Sequence, residues 1–105
     1  MTTETVAQAT VDVDTEGFFL HPEAWTEAMV PELARREGID PVTDQHWAVI
    51  RFMRREYIQN GAGPNVRALS KISGVSIKDL YQLFPGGPAK VAARIAGIPK
   101  PRGCI

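Results

Sequence analysis

Glycine and proline divide this chain into short runs, and that punctuation limits what it can fold into. Gly38, Asn60-Gly61, Gly63-Pro64, Gly74, Pro85-Gly86-Gly87 and Gly97 each stop or turn the backbone. Glycine does so by entering conformations closed to other residues, and proline by lacking a backbone donor. Between these breaks apolar residues recur at helical spacing. The chain therefore reads as a mostly α (α+β) domain of about five short helices.

Pro22 fits the first turn of a helix whose stripe is Trp25, Met29, Val30 and Leu33, ending at Gly38. Pro31 lies inside that run and predicts a kink or a split. Thr43 caps a central helix in which Trp47, Ile50, Phe52, Met53, Tyr57 and Ile58 supply the buried surface. Val66 to Ile72 forms a short helix with Val66, Leu69 and Ile72 inward. Ser76 caps the next, through Leu80, Tyr81, Leu83 and Phe84, and Pro88 to Ile95 forms the last. Ahead of the helices, residues 1–8 read as a loose tail. Val11 and Val13 alternate with polar residues, Asp14-Thr15-Glu16-Gly17 is a turn signal, and Phe18-Phe19-Leu20 follows. A short β-hairpin covered by helices is expected there.

With 105 residues, 44% of them hydrophobic, and two tryptophans, residues 1–105 suffice for a single domain with one core. The opening Met1-Thr2-Thr3-Glu4-Thr5-Val6-Ala7-Gln8 has neither a basic start nor an apolar run, so no secretory signal is expected. No stretch approaches transmembrane length, and no membrane partner is expected. A single cysteine excludes an internal disulfide and fits a reducing, cytoplasmic setting.

The formal net charge of zero hides an asymmetry. Residues 1–44 hold ten acids against Arg35 and Arg36, a balance of minus eight. Residues 45–105 hold Glu56 and Asp79 against ten Lys or Arg, a balance of plus eight. The second part suits an acidic partner surface or nucleic acid, although a solvated face is the plainer explanation.

Leu69 to Pro85 has a helix-turn-helix pattern: a helix, a glycine turn at Gly74 and a second helix opened by the Ser76 cap. Gly74 to Pro85 resembles the recognition segment of the tetracycline-repressor family. The exposed positions Ser76, Lys78, Asp79 and Gln82 carry one cation and one anion, a poor set for a phosphate backbone. A structural unit is the plainer reading. His21 and His46 stand at helix starts as surface or capping residues. With no His-x-x-x-His or Cys-x-x-Cys spacing, no metal or cofactor is expected. Trp25, Trp47, Phe52 and Tyr57 recur at helical spacing and read as core.

The last thirteen residues, from Ala93 to Ile105, carry the chemistry. A lone cysteine is usually a small buried hydrophobe. Here Pro99 and Pro101 forbid a helix and Gly103 frees the backbone beside Cys104, so residues 97–105 read as an extended, mobile arm. At about 3.1 Å per residue, its thiol reaches roughly 20 Å beyond the last helix. Lys100 and Arg102 favour the nucleophilic thiolate, and the terminal carboxylate of Ile105 opposes it.

Taken together, Gly17-Phe18, His46-Trp47-x-Val49-Ile50-Arg51-Phe52, Leu80-Tyr81-x-Leu83-Phe84-Pro85-x-Gly87-Pro88-Ala89-Lys90, Arg94-Ile95-Ala96-Gly97 and Pro99-Lys100-Pro101-x-Gly103-Cys104 resemble the DsrC/TusE family over about Val11 to Ile105. The resemblance implies a helical fold with a small N-terminal hairpin, a mobile C-terminal arm and a penultimate cysteine that carries sulfur as a persulfide. Cys104 matches that cysteine. Family members that serve sulfite reductase carry a second cysteine eleven positions earlier, where this chain has Ala93, and an insertion between the positions of Ile72 and Leu80. Both departures point to the single-cysteine, TusE-like branch.

The expectation is a sulfurtransferase acting as a persulfide relay. Cys104 is its reacting group, Arg94, Lys100, Arg102 and Gly103 support it or dock a partner, and Arg94 holds the arm's base. The resemblance implies a protein donor of TusBCD, DsrEFH-like or rhodanese-like type. It also implies an acceptor that is a tRNA thiouridylase or a sulfur-oxidation enzyme. Two alternatives remain at this point: a sulfur- or redox-responsive DNA-binding regulator using residues 66–84, and an interaction subunit whose cysteine is incidental.

Overall fold

A computed structural model describes residues 2–101. Two strands, β1 (Thr2–Val6) and β2 (Ala9–Val13), precede five helices: α1 (Val30–Arg36), α2 (Asp44–Asn60), α3 (Val66–Ser73), α4 (Ile77–Leu83) and α5 (Pro88–Ile95). The expected helical domain with an N-terminal hairpin is present, and the details of its N-terminal third differ from expectation.

The first difference is that the tail is a strand. β1 pairs antiparallel with β2, Thr2 opposite Val13 and Val6 opposite Ala9, around a two-residue turn. Ala7 and Gln8 both take positive φ, 49° and 68°, the primed-turn geometry that matches the strands' twist. The sequence hides this hairpin because Ala-Gln is not an Asn-Gly signal and Val6 is the only buried residue of β1. The hairpin expected around Asp14–Gly17 shrinks to one bridge between Val13 and Phe19. Phe18 and Phe19 are both fully buried, and consecutive inward side chains break the alternation a strand requires. The Asp14 carboxylate instead accepts from the backbone N–H of Glu16 and Phe18 at 2.8 and 3.0 Å, folding the turn on itself.

The second difference is the split at Pro31. Two single 3-10 turns, Pro22–Ala24 and Glu27–Met29, lead into α1, which places Pro31 in its first turn where no donor is needed. Trp25 falls in the extended interval between those turns, with ψ at 141°.

Thr43 caps α2 as expected: its hydroxyl accepts from the His46 N–H while His46 Nδ1 accepts from the Thr43 N–H. His46 is a capping residue but not a surface one. It is buried, and its Nε2–H donates to the Leu83 carbonyl at 2.8 Å, joining α2 to the end of α4. His21 is largely exposed. Asn65 and Ser76 cap α3 and α4, and Gly61 and Gly74 close α2 and α3 with φ near +75°.

The hub is α5, which packs against α1, α2, α3 and α4. Ala92, Ala93 and Ala96 are fully buried, and such small side chains let neighbouring helices approach closely. Ile50, Met53, Leu69, Leu80 and Phe84 fill the space around them. Two residues expected inside are outside, Ile58 at 73% and Ile72 at 54% exposed, and Tyr81 is 50% exposed as well. Among the described residues no helix is long and apolar enough to cross a membrane.

Candidate functional site at the root of the C-terminal arm

The sequence directs attention to the end of α5, where the arm begins. A helix terminus leaves its last carbonyls without intrahelical partners, and a buried terminus must satisfy them by other means. Here each is accounted for. Gly97, at φ +67°, closes a Schellman turn: its N–H donates to Arg94 O at 3.4 Å and the Ile98 N–H to Ala93 O at 3.2 Å. The indole Nε1–H of Trp25 donates to Ile95 O at 2.9 Å. Arg54 takes the rest, with Nη1 donating to Ala96 O at 2.7 Å and Gly97 O at 3.4 Å, and Nη2 to Pro22 O at 3.2 Å.

Arg54 and Trp25 act as one clamp. The guanidinium lies over the Trp25 ring, 4.1 Å from its centroid, and brings a positive charge to the negative end of α5. Burial pushes the Arg54 pKa below its ordinary value, because desolvation disfavours the charged form. Trp25 packs so tightly on Gly97 that any Cβ there would overlap the indole. Gly97 is therefore fixed twice, by its left-handed φ and by this approach.

The described part of the expected arm, residues 97–101, lies against the body. Ile98 is fully buried and Pro101 is buried as well. Their seat is the backbone of Gly63, where an added Cβ would come within 2.6 Å of Ile98 Cδ1 and 3.7 Å of Pro101 Cγ. Lys100 reaches back across the molecule, and its ammonium meets the Glu16 carboxylate at 2.9 Å. Residues 98–101 are thus non-helical yet packed, because an apolar side chain every third position, Ile98 and Pro101, lies against the core.

The predicted site residues separate accordingly. Among the described residues, the Arg94 side chain makes no hydrogen bond or ion pair to the arm. It makes a two-pronged ion pair with Glu37 at 2.8 and 3.1 Å and lies over the Phe18 ring at 5.3 Å. That ties α5 to the end of α1 and to the Asp14–Gly17 turn, beside a cavity of about 320 Å³ that Glu16, Glu37 and Arg94 help to line. Lys100 is paired with Glu16 within the described residues. Arg102, Gly103 and Cys104 lie outside the described residues. Ala93 is sealed in the core. The residues that anchor the arm, Arg54 and Trp25, carried no sequence signal for that role. Both sit at helical spacing among other apolar or basic positions, and the carbonyls they serve are about 40 to 70 residues away.

Residues 66–84 do form two helices around Gly74, braced by the Ser70 hydroxyl donating to Val75 O at 2.7 Å. The second of them turns the apolar Ile77 and Tyr81 outward, next to Lys78, Asp79 and Gln82. Among the described residues no group of three or more His, Cys, Asp or Glu is placed to hold a metal ion.

Comparison with known proteins adds a consistent set of relatives. The family model described as "DsrC like protein" matches residues 5–105. The gamma subunit of a dissimilatory-type sulfite reductase from Nitratidesulfovibrio vulgaris is 42% identical, with 90% of each chain covered. A sulfurtransferase TusE from Sodalis glossinidius is 41% identical over 90% of this chain and 94% of that protein. Among solved structures, the crystal structure of dissimilatory sulfite reductase I (DsrI) superposes with a TM-score of 0.88 at 38% identity, covering 99% of this chain and all of that one. The solution structure of Allochromatium vinosum DsrC gives 0.85 at 36% identity, covering 98% and 97%. These relatives are named for sulfur transfer and sulfite reduction, and they lend no support to a DNA-binding regulator.

Proposed function

Because this chain belongs to the DsrC-like protein family, we propose that it is a sulfur carrier whose reacting group is Cys104. The observation that supports this most is the combination of a single thiol in the sequence with an arm root fastened at Ala96, Gly97, Ile98, Lys100 and Pro101. A carrier needs a fixed base from which a reactive tip is presented, and the clamp on Ala96 and Gly97 supplies one.

The proposed transfer conserves oxidation state. The Cys104 thiolate attacks the outer sulfur of a donor protein's persulfide, a new S–S bond forms at Cys104, the donor's S–S bond breaks, and the donor departs as a thiolate. The proton on the transferred sulfur is shared with solvent. In the second half an acceptor protein's thiolate attacks the outer sulfur of the Cys104 persulfide and Cys104 leaves as thiolate. Neither step calls for a metal or an organic cofactor. Lys100, Arg102 and Gly103 belong to the presenting segment, with the cations favouring thiolate. Arg94 contributes by bracing α5.

Ala93 favours a relay over bridging chemistry, since one thiol cannot close a disulfide or trisulfide within the chain. That supports a TusE-like place, receiving sulfur from a TusBCD, DsrEFH-like or rhodanese-like protein in a reducing cytoplasm. The acceptor is then a tRNA thiouridylase or a sulfur-oxidation enzyme. Intact-protein mass spectrometry after incubation with a persulfidated sulfurtransferase tests the chemistry. Wild type gains about 32 Da per sulfur, removed by dithiothreitol, and Cys104→Ser gains nothing. An adduct on the serine variant, or none on wild type with donors of all three types, overturns the proposal.

A further inference from the structure

The outward edge of α2 has features that neither the core nor the arm clamp uses. Arg51, Arg55 and Ile58 follow one another at spacings of four and three residues, so they share one face of the helix. All three are exposed, Ile58 at 73%. The row is a ridge between two open grooves. One groove, of about 360 Å³, has an apolar floor and wall from Val49, Phe52, Val75 and the exposed Ile72. The other, of about 340 Å³, runs on the opposite side over Ile58 to Trp25 and Arg54. Both grooves share Arg51 and Arg55.

The charge along this ridge is one-sided. The ionisable residues lining the two grooves are Arg51, Arg54 and Arg55 against Glu27 alone. Glu27 approaches Arg51 at 3.4 Å, with both side chains mostly in solvent, a pair of small worth. Among the described residues no carboxylate pairs with Arg55. The guanidinium groups are also pre-positioned, Arg51 over the Trp47 ring at 4.9 Å and Arg55 over the Phe52 ring at 5.4 Å. Stacking limits their rotamers, so less entropy is lost when they engage a carboxylate.

We propose that this ridge and its flanking grooves dock an acidic amphipathic helix of a protein that exchanges sulfur with the arm. Its carboxylates would pair with Arg51 and Arg55, and its apolar residues would cover Ile58 on one side and Ile72 on the other. Charge complementarity selects the acidic occupant. The apolar flanks require side chains that a nucleic-acid backbone does not offer. The site is placed for the purpose, because the second groove ends on Trp25 and Arg54, the pair that holds the root of the arm. A partner seated there stands beside the segment that delivers Cys104. The proposal rests on the carrier reading for its purpose, though not for its existence as a binding surface.

The test uses the full chain and a synthetic amphipathic helix bearing a row of glutamates beside a leucine stripe. Binding is followed by amide chemical shifts and by tryptophan fluorescence. The expected result is that shifts cluster on α2 and α3, that affinity falls with added salt, and that the Arg51→Glu/Arg55→Glu variant binds about tenfold more weakly or worse, with its circular dichroism unchanged. The same variant should instead bind a helix in which lysines replace the glutamates, which separates lost charge from lost fold. Ile58→Ser should also weaken the acidic helix. Shifts spread over the whole surface overturn the proposal, as does equal binding by the unmodified protein to the lysine helix. So does a preference of this face for duplex DNA or RNA, or self-association of the chain through it. Loading of wild-type Cys104 by a low-molecular-weight persulfide is read separately, so failure of the carrier reading and failure of the docking surface are told apart.

Discussion

Replacing Arg54 tests whether the arm root is held by directed hydrogen bonds or merely by burial. Its guanidinium makes two well-formed bonds to carbonyls, at 2.7 Å to Ala96 and 3.2 Å to Pro22, and a marginal one at 3.4 Å to Gly97. Bonds involving a charged donor are worth roughly 1.5–3 kcal/mol each, and the stack on Trp25 adds about 0.5–1 kcal/mol. The lowered pKa of Arg54 marks an opposing cost, since part of its hydration is lost on folding. The side chain is only partly buried, so water can re-satisfy some carbonyls in a variant. The net expectation for Arg54→Ala is a loss of about 2–4 kcal/mol in urea unfolding.

A series divides that loss into causes. Arg54→Met keeps the apolar stem against Trp25 and removes every donor. Arg54→Lys keeps a charge near the end of α5 but cannot span Ala96 and Pro22 at once, because an ammonium lacks the planar fork. If the fork dominates, lysine recovers no more than the roughly 0.3–1 kcal/mol that a cation gains at a helix C-terminus, so it falls close to methionine. The local readout is amide exchange at Gly97 and Ile98, whose N–H groups are bonded to Arg94 and Ala93. Those two amides should lose protection in Arg54→Met by more than the global loss of stability explains. All three variants within about 0.5 kcal/mol of wild type, with Gly97 and Ile98 still protected, would refute the clamp.

Two further outcomes concern the same segment. Gly97→Ala should destabilise by about 2–4 kcal/mol in thermal or urea unfolding and detach residues 98–101, since it meets both a left-handed φ and the Trp25 ring; Trp25 fluorescence should shift to the red. Glu16→Gln, by contrast, removes the exposed partner of Lys100 and should cost no more than about 1 kcal/mol, an effect that added salt erases in wild type, as equilibrium unfolding at two ionic strengths would show.

What could be read from the sequence and what could not follow a physical line. Helix starts and stops were legible because they are local: Thr43 and Ser76 each accept from a backbone N–H three residues on, and Gly61 and Gly74 each close the helix they follow. Pro31 announced a split for a reason confined to its own ring. The central positions of α2, Ile50 and Met53, were legible from period alone, whereas Ile58 was not. Periodicity states that a residue shares the core face, but α2 runs past the elements that cover it, and only tertiary structure says where the cover ends. β1 was missed because its pairing draws on backbone hydrogen bonds and a single buried valine, which leave little trace in composition.

The candidate site shows the same division in one place. Pro99 and Pro101 are legible as a helix-free segment, since a missing N–H means the same thing in any fold, and Cys104 is legible as the one candidate nucleophilic thiol in the sequence. The clamp is not, because a helix C-terminus asks only for donors and any donor on a neighbouring segment can answer. Here Trp25 answers because the interval between two 3-10 turns aims its indole at Ile95, and Arg54 because it lies one turn beyond Ile50 on the helix that packs against α5. The consequence is that the arm's root is specified by residues with no chemical part in sulfur transfer. Arg54 is a positioning residue in this scheme, and a variant that frees the root should lower delivery of sulfur to an acceptor protein while leaving the rate at which a small persulfide loads Cys104 much closer to wild type.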